Sequence, residues 1–381
     1  MYGLLFTDHG LSATQISTLF VIWSTTGFVL EVPSGAWADT YSRRKLLILG
    51  ALISGLGYAV WIAVPSFPGF ALGFVLWGAS SALMSGTYEA FVYDELAARN
   101  QTGRYARLLG FARSSSFVAN LAATALAAPL FSLGGYTLAG IVSVFSGVVQ
   151  AAIAWSLPEA KPVETARDSD EPGAKAAFAG YLGMLRSGVA EVLTSRLVRR
   201  AVVLVALLGG FTAFDEYFPL LAREAGASTG AIPLLIAGTV AAQAIGGALA
   251  GSAYRLPAAT FAIGLGATAV LIASGSLSRS AWGFLPIALG YGVLQLVIVV
   301  AEARLQDSIT GRARATVTSV SGLFAEVFAI AVYAGFAVGS VWFTMSILVA
   351  ALTIPLVLAA FVVPFALPRP RTSVPAEATD T

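Results

Sequence analysis

Of 381 residues, 57% are hydrophobic and 11% charged, with net charge +2 and mean hydropathy +0.81; soluble domains run at roughly 45–50% apolar and about 25% charged. So few charges cannot cover a globular surface, which excludes a soluble enzyme, and the near-neutral total leaves no nucleic-acid footprint. With no Cys and one His, a disulfide framework, a thiolate nucleophile and Cys- or His-built metal centres are excluded as well.

Long apolar runs predict spans at 14–38, 46–64, 70–93, 108–130, 137–157, 201–222, 231–251, 258–277, 281–302, 316–338 and 341–364. Each meets the need for about 20 apolar residues. A short apolar stub, Met1–Thr7, precedes them. The expectation is an all-α polytopic membrane protein with eleven full spans and a fragment. Residues 1–157 and 201–367 form two transmembrane halves. Between them, 158–200 opens as a Pro- and acid-rich linker and turns amphipathic from about Lys175, reading as a helix on the membrane surface. The tail 368–381 is rich in Pro, Thr and Ala and predicts disorder.

Basic residues set the orientation. Arg43, Arg44, Lys45, Arg99, Arg104, Arg107, Arg255, Arg304, Arg312 and Arg314 share one side with the linker and tail; Arg223 and Arg279 lie opposite, and Arg113 falls inside a span. The crowded side is predicted cytoplasmic, with linker and C-terminus facing the cytoplasm and the spans in the plasma (inner) membrane.

The halves resemble copies. Gly35-Ala-Trp-Ala-Asp39 meets Gly247-Ala-Leu-Ala-Gly251, Thr102-Gly-Arg104 meets Thr310-Gly-Arg312, and Gly10–Ile16 meets Gly226–Ile232, in the same order at nearly constant offset. In that alignment Met1–Gly10 matches Tyr217–Gly226, while Ala201–Glu216 has no counterpart. The first helix is therefore expected to lack its cytoplasmic two-thirds, through a start codon placed too late.

Gly35, three residues, Asp39 and then Arg43-Arg44-Lys45 resemble the signature loop of the major facilitator superfamily, as do the two six-helix halves and the long central linker. Thr40 and Ser42 stand where that loop usually has a basic residue and a glycine. Ser85–Asp94 and Glu31–Gly35 are similar to one bacterial branch of the superfamily. The resemblance implies a cofactor-free secondary transporter, not an enzyme, with halves that rock about a midplane site. Small-molecule substrate, protons and the lipid bilayer are the expected partners, and a monomer the expected state. Gly35, with no side chain, allows close helix approach. Asp39 can accept N–H bonds at a neighbouring helix N-terminus, which the superfamily places at the eleventh helix. Arg43 and Arg44 with Asp94 would complete a cytoplasmic latch, to which Arg104 also belongs. Glu302 with Arg304 or Arg312 would mirror it, and Lys45 reads as a topogenic charge only.

Ionisable groups at membrane depth are costly and mark function. Glu31, Glu89, Arg113, Asp215, Glu216 and Glu326 qualify. Burial favours the neutral form of a carboxyl group, so these acids suit a coupling proton or a cationic substrate. Asp215 and Glu216 are about 100° apart on an α-helix, so one of the two is expected to face a cavity. Arg113 is a possible partner of Glu31 or Glu89. The superfamily layout implies that the first, fourth, seventh and tenth helices line the cavity, with Trp77, Tyr88, Tyr217, Tyr291 and Gln295 as lining residues. Trp61, Trp155 and Trp282 read as interfacial.

Proton-coupled export of small, partly apolar or cationic compounds is the resulting expectation. Two marks of the superfamily's antiporters are blurred: Phe74 stands where a membrane arginine is usual, and the fifth-helix Gly-Pro pattern is reduced to Ala127-Ala128-Pro129. An uptake symporter and a non-transporting receptor or scaffold are the alternatives. The chain contains no Gly-x-x-x-x-Gly-Lys-Ser/Thr loop for an ATP-driven pump.

Overall fold

The computed structural model describes residues 2–158, 183, 186, 195–309 and 314–370, without the side chains at 32, 35, 36, 39, 40, 106, 113, 114, 117 and 314–316. The amphipathic linker helix, the disordered tail and the Thr310-Gly-Arg312 match largely lie outside the described residues.

Helix α1 spans Tyr2–Asp8, α2 Ala13–Thr40, α3 Arg43–Ala63, α4 Phe67–Met84, α5 Thr87–Ala98 and α6 Tyr105–Ser156. The second half holds α7 at Arg196–Phe211, α8 at Phe218–Glu224, α9 at Ile232–Ala253 and α10 at Ala258–Leu277. It ends with α11 at Phe284–Ser308, α12 at Arg314–Gly339 and α13 at Met345–Ala366. At 52 residues, α6 would be roughly 78 Å long at 1.5 Å per residue, far beyond a hydrocarbon core of about 30 Å. Gly134 (φ −156°, ψ 16°) and Gly135 (φ 60°, ψ −152°) break it, and a left-handed φ is open to glycine without steric cost. With α6 counted as two, the ten apolar stretches long enough to cross a membrane become eleven among the described residues, as the sequence predicts.

The repeat recurs in the backbone. Gly10 (φ 82°) ends α1 and Gly226 (φ 80°) ends α8. Leu11 N–H donates to Phe6 C=O at 3.0 Å, and Ala227 N–H to Ala222 C=O at 3.0 Å, the same left-handed cap in both halves. Beyond the first cap, Ser12 starts α2 with a capping box, Gln15 N–H on Ser12 Oγ at 3.2 Å and Ser12 N–H on Gln15 Oε1 at 2.9 Å.

Within the first half α2 and α3 pack on α4, and α3 on α6; within the second, α9 and α10 pack on α11, α10 on α13, and α7 on α12. The halves meet along α2 against α12 and α6 against α9. Lipid tails are as apolar as leucine, so helices in a bilayer associate through close packing of small residues. A Cβ on Gly246 would sit 1.9 Å from Gly292 C=O, and one on Gly147 2.9 Å from Ala51 C=O. Gly246→Ala is expected to force α9 from α11 and lower stability by about 1–3 kcal/mol; a thermal melt of the purified protein in detergent reads this, and an unchanged melt would show that the helices separate freely. Trp155 and Trp282, both read as interfacial, remain exposed. Trp61 does not join them, contrary to expectation: it is buried and its indole N–H donates to Phe70 C=O at 3.0 Å, because a cluster of rings with Phe6, Phe74 and Trp77 encloses it.

Candidate functional site

The span of α7 and α8 is not one continuous α-helix. Thr212–Tyr217 tightens into a 3-10 turn, with about three residues per turn instead of 3.6. This turn carries Asp215 and Glu216, and both line a cavity of about 280 Å³ between the halves. The expectation that one acid would turn away is therefore corrected: the cavity wraps this 3-10 turn widely enough that Asp215 and Glu216 both line it. Glu326 of α12 lines the same cavity.

Each carboxylate receives a hydroxyl. Tyr291 of α11 donates to Asp215 Oδ2 at 2.7 Å, Tyr2 of α1 donates to Glu216, and Ser24 of α2 donates to Glu326. The bonds of Glu216 and Glu326 cross between the halves, while that of Asp215 stays within the second. Among the described residues lining the cavity none is basic. Aromatic rings line it too: Trp23 is in the lining and stacks on Trp77, which was expected there but lies outside the lining, centroids 5.2 Å apart and planes 20° apart. Tyr333 borders the cavity as well and packs on Phe20.

The other expected residues lie elsewhere. Tyr217 is fully buried outside the cavity lining, stacked on Phe336 at 4.1 Å and bonded to Ser17 Oγ at 2.8 Å across the halves. Gln295 sits at the α9–α11 contact, its Cγ 3.9 Å from a Cβ built on Gly247. Tyr88 and Glu89 are exposed on the first turn of α5, because the Ser85–Gly86 break (Gly86 φ 67°) re-aims the chain after α4. Glu31 is only partly exposed and accepts from Ser85 Oγ at 3.1 Å. The side chains of Arg113 and Asp39, the packing of Gly35, and all of Arg312 fall outside what is described.

At the end carrying the basic loops, Arg43 pairs with Asp94 and donates to Ala90 C=O at 3.1 Å and Ala38 C=O at 3.3 Å. Arg44 donates to Leu157 C=O at 3.2 Å, so of the two arginines expected at Asp94 it is Arg43 that pairs with it; Arg104 donates to Gln101 Oε1 at 3.3 Å. Glu302 is exposed. Arg304 is turned away from a mirrored latch. It is 1% exposed and donates to three main-chain carbonyls, those of Tyr254, Leu256 and Pro368. The reason is steric and polar: the α9–α10 turn and the chain leaving α13 converge there with carbonyls that helix geometry leaves unpaired.

At the opposite end the halves are joined by charge. Arg223 Nη1 donates to Asp8 Oδ1 at 2.5 Å, Tyr136 donates to the other oxygen of Asp8, and Thr14 Oγ1 lies 3.0 Å from Ser340 Oγ. Burial pushes the Asp8 carboxyl up, but hydrogen bonds from Arg223 and Tyr136 and the Arg223 charge outweigh it and hold it below the usual carboxylate range. A depressed acid stabilises this closure above its ordinary pKa, and the contribution vanishes only as pH falls through the lowered value. Asp8→Asn is accordingly expected to speed maleimide labelling of an Ala13→Cys reporter about two- to fivefold, whereas between pH 5 and 8 the parent's Asp8 contact is constant. The chain's lack of other cysteines makes the readout clean.

Tyr2, Trp23, Ser24 and Tyr333 were not legible as site residues. The hydroxyls and rings are common types in apolar runs, and only the contact of α1, α2 and α12 across the halves selects them.

The Major Facilitator Superfamily model matches residues 1–333. No curated protein matches the sequence significantly. Among solved structures, the nucleoside transporter NupG superposes with TM-score 0.70 at 11% identity, covering 94% of this chain and 91% of its own. A bacterial homolog of the human lysosomal transporter Spinster, solved inward-facing and unoccupied, gives 0.68 at 16% identity, covering 95% of each chain.

Proposed function

We propose, from the premise that this chain belongs to the Major Facilitator Superfamily and is a multi-pass secondary transporter, that it exports small cations with an apolar body in exchange for protons. The observation that carries this reading is one cavity holding Asp215, Glu216 and Glu326, each held by a hydroxyl and none by a described basic side chain. A charge at membrane depth is costly, so a cluster of carboxylates there favours a proton or a cationic ligand. Hydroxyl partners serve both states, since they donate to the ionised acid and accept from the protonated one. Proton and substrate thus compete for the same oxygens, which is the stoichiometric basis of exchange.

Trp23, backed by its stack on Trp77, gives the cation's body an aromatic face. Glu216 and Glu326 bond across the halves, so loading either one alters the contact that must open when access alternates. The end with Arg43, Arg44 and Lys45 faces the cytoplasm of the plasma membrane by the positive-inside rule, and Arg43 with Asp94, beside Gly35 and Asp39, belongs to the latch at that end. No enzymatic step is assigned.

Proteoliposomes loaded with a lipophilic organic cation test the reading. An inward proton gradient is expected to drive the cation out and to alkalinise the medium in proportion. Uptake of the cation along with the protons would make the protein a symporter, and no flux would leave a receptor or scaffold.

A further inference from the structure

Of the three consecutive basic residues that begin α3, two are engaged: Arg43 by Asp94 and two carbonyls, Arg44 by Leu157 C=O. Among the described residues the Lys45 ammonium makes neither ion pair nor hydrogen bond. It stands at the mouth of a groove of about 480 Å³ between α2, α3 and α4. From Lys45 the groove continues along Leu49 to Ile53, roughly 12 Å at 1.5 Å per residue, which is close to one leaflet's share of an about 30 Å hydrocarbon core. Its lining is apolar apart from Ser34 and the mouth, and Ala79 and Ala82 of α4 keep the floor low. Trp37 and Tyr41 flank the same end, 37% and 64% exposed, as amphipathic rings do at headgroup depth. The positive end of the α3 dipole points there too.

We propose that this groove is a binding site for one anionic phospholipid of the leaflet at the Lys45 end, its acyl chain along Leu49 and Ile53 and its phosphate on Lys45. The groove length matches a single chain in one leaflet, and the uncommitted cation at its mouth selects a net negative headgroup over a zwitterionic one. Lys45 then has a role beyond topology: a chain whose nearest basic neighbours are both bonded inward keeps one ammonium for the lipid. The site does not depend on the direction of transport or on proton coupling.

Native mass spectrometry of the full-length protein, equilibrated in detergent with equal dioleoylphosphatidylglycerol and dioleoylphosphatidylcholine, tests it. The parent is expected to retain one phosphatidylglycerol in preference to phosphatidylcholine. Lys45→Gln is expected to reduce that preference about fivefold, the effect of one basic residue near an anionic surface, while Lys45→Arg preserves it. Ala79→Phe, which raises the groove floor, is expected to remove the retained lipid whatever its headgroup. An unchanged preference in Lys45→Gln overturns the proposal, as does equal retention of both lipids by the parent or a second copy of the chain in the lipid's place. If Ala79→Phe does not fold, the Gln and Arg variants decide between the outcomes.

Discussion

Replacing Asp215 by asparagine is expected to lower gradient-driven flux by about a hundredfold or more, while one-for-one exchange of substrate across the membrane persists. Asparagine keeps the size of the side chain and an oxygen for the Tyr291 hydroxyl, now at 2.7 Å from the carboxylate, but can neither release nor take up a proton. It therefore mimics the protonated acid permanently. Net coupled transport requires the site to cycle through its ionised form, and a positioned proton-transfer group contributes about 10²- to 10⁴-fold. Exchange of one substrate molecule for another needs no such cycle. Glu216→Gln is a second arm of the same experiment. Its amide oxygen can still accept from Tyr2, so the contact between the halves survives and any loss of flux is chemical rather than mechanical. Driven flux that is unchanged in both variants would remove the carboxylate pair from the coupling step and leave Glu326 as the acid to examine.

Arg304→Ala is expected to cost about 3–5 kcal/mol, read as an apparent melting temperature about 5–10 °C lower in detergent. The guanidinium bonds Tyr254 C=O through Nε at 3.2 Å and Nη2 at 2.5 Å, Leu256 C=O through Nη2 at 2.6 Å and Pro368 C=O through Nη1 at 3.3 Å. Its carbon lies 5.1 Å from the Phe261 ring centroid and 5.6 Å from that of Tyr254. Truncation leaves three carbonyls without their donor and removes two ring contacts, at a point where three chain segments are held together by one side chain. A lysine offers a point charge instead of a planar fork, so Arg304→Lys is expected to recover part of the loss but not all of it. Equal melting of parent and Ala variant would show that water replaces the guanidinium without cost.

Some of this was written in the chain. The eleven spans follow from runs of apolar residues, since a bilayer admits a helix only where about 20 of them are consecutive. The Gly10 and Gly226 match in the repeat became the same left-handed cap. Asp215, Glu216 and Glu326 stood out because acids in such runs are rare. Other readings failed for a common reason. Arg304 looked like Arg43 by its place near a span end beside an acid, yet what it bonds was settled by carbonyls 50 and 64 residues away in sequence. Tyr217 resembled a lining residue by helix number, but as the last residue of the 3-10 turn it packs into the contact between the halves.

Sequence by itself determined what must be in the membrane, which end carries the charge, and which few acids are placed at membrane depth. These are one-dimensional properties, fixed by the transfer free energy of each residue along its own helix. Tertiary structure alone decided which hydroxyl meets which acid, that Tyr2 and Ser24 reach across to the second half, and that Lys45 has no partner among the described residues beside an apolar groove. Those outcomes depend on how helices rotate against one another and where they tighten locally. In a bilayer that rotation is set by close packing of small residues and by polar groups finding partners, and neither is written in hydropathy.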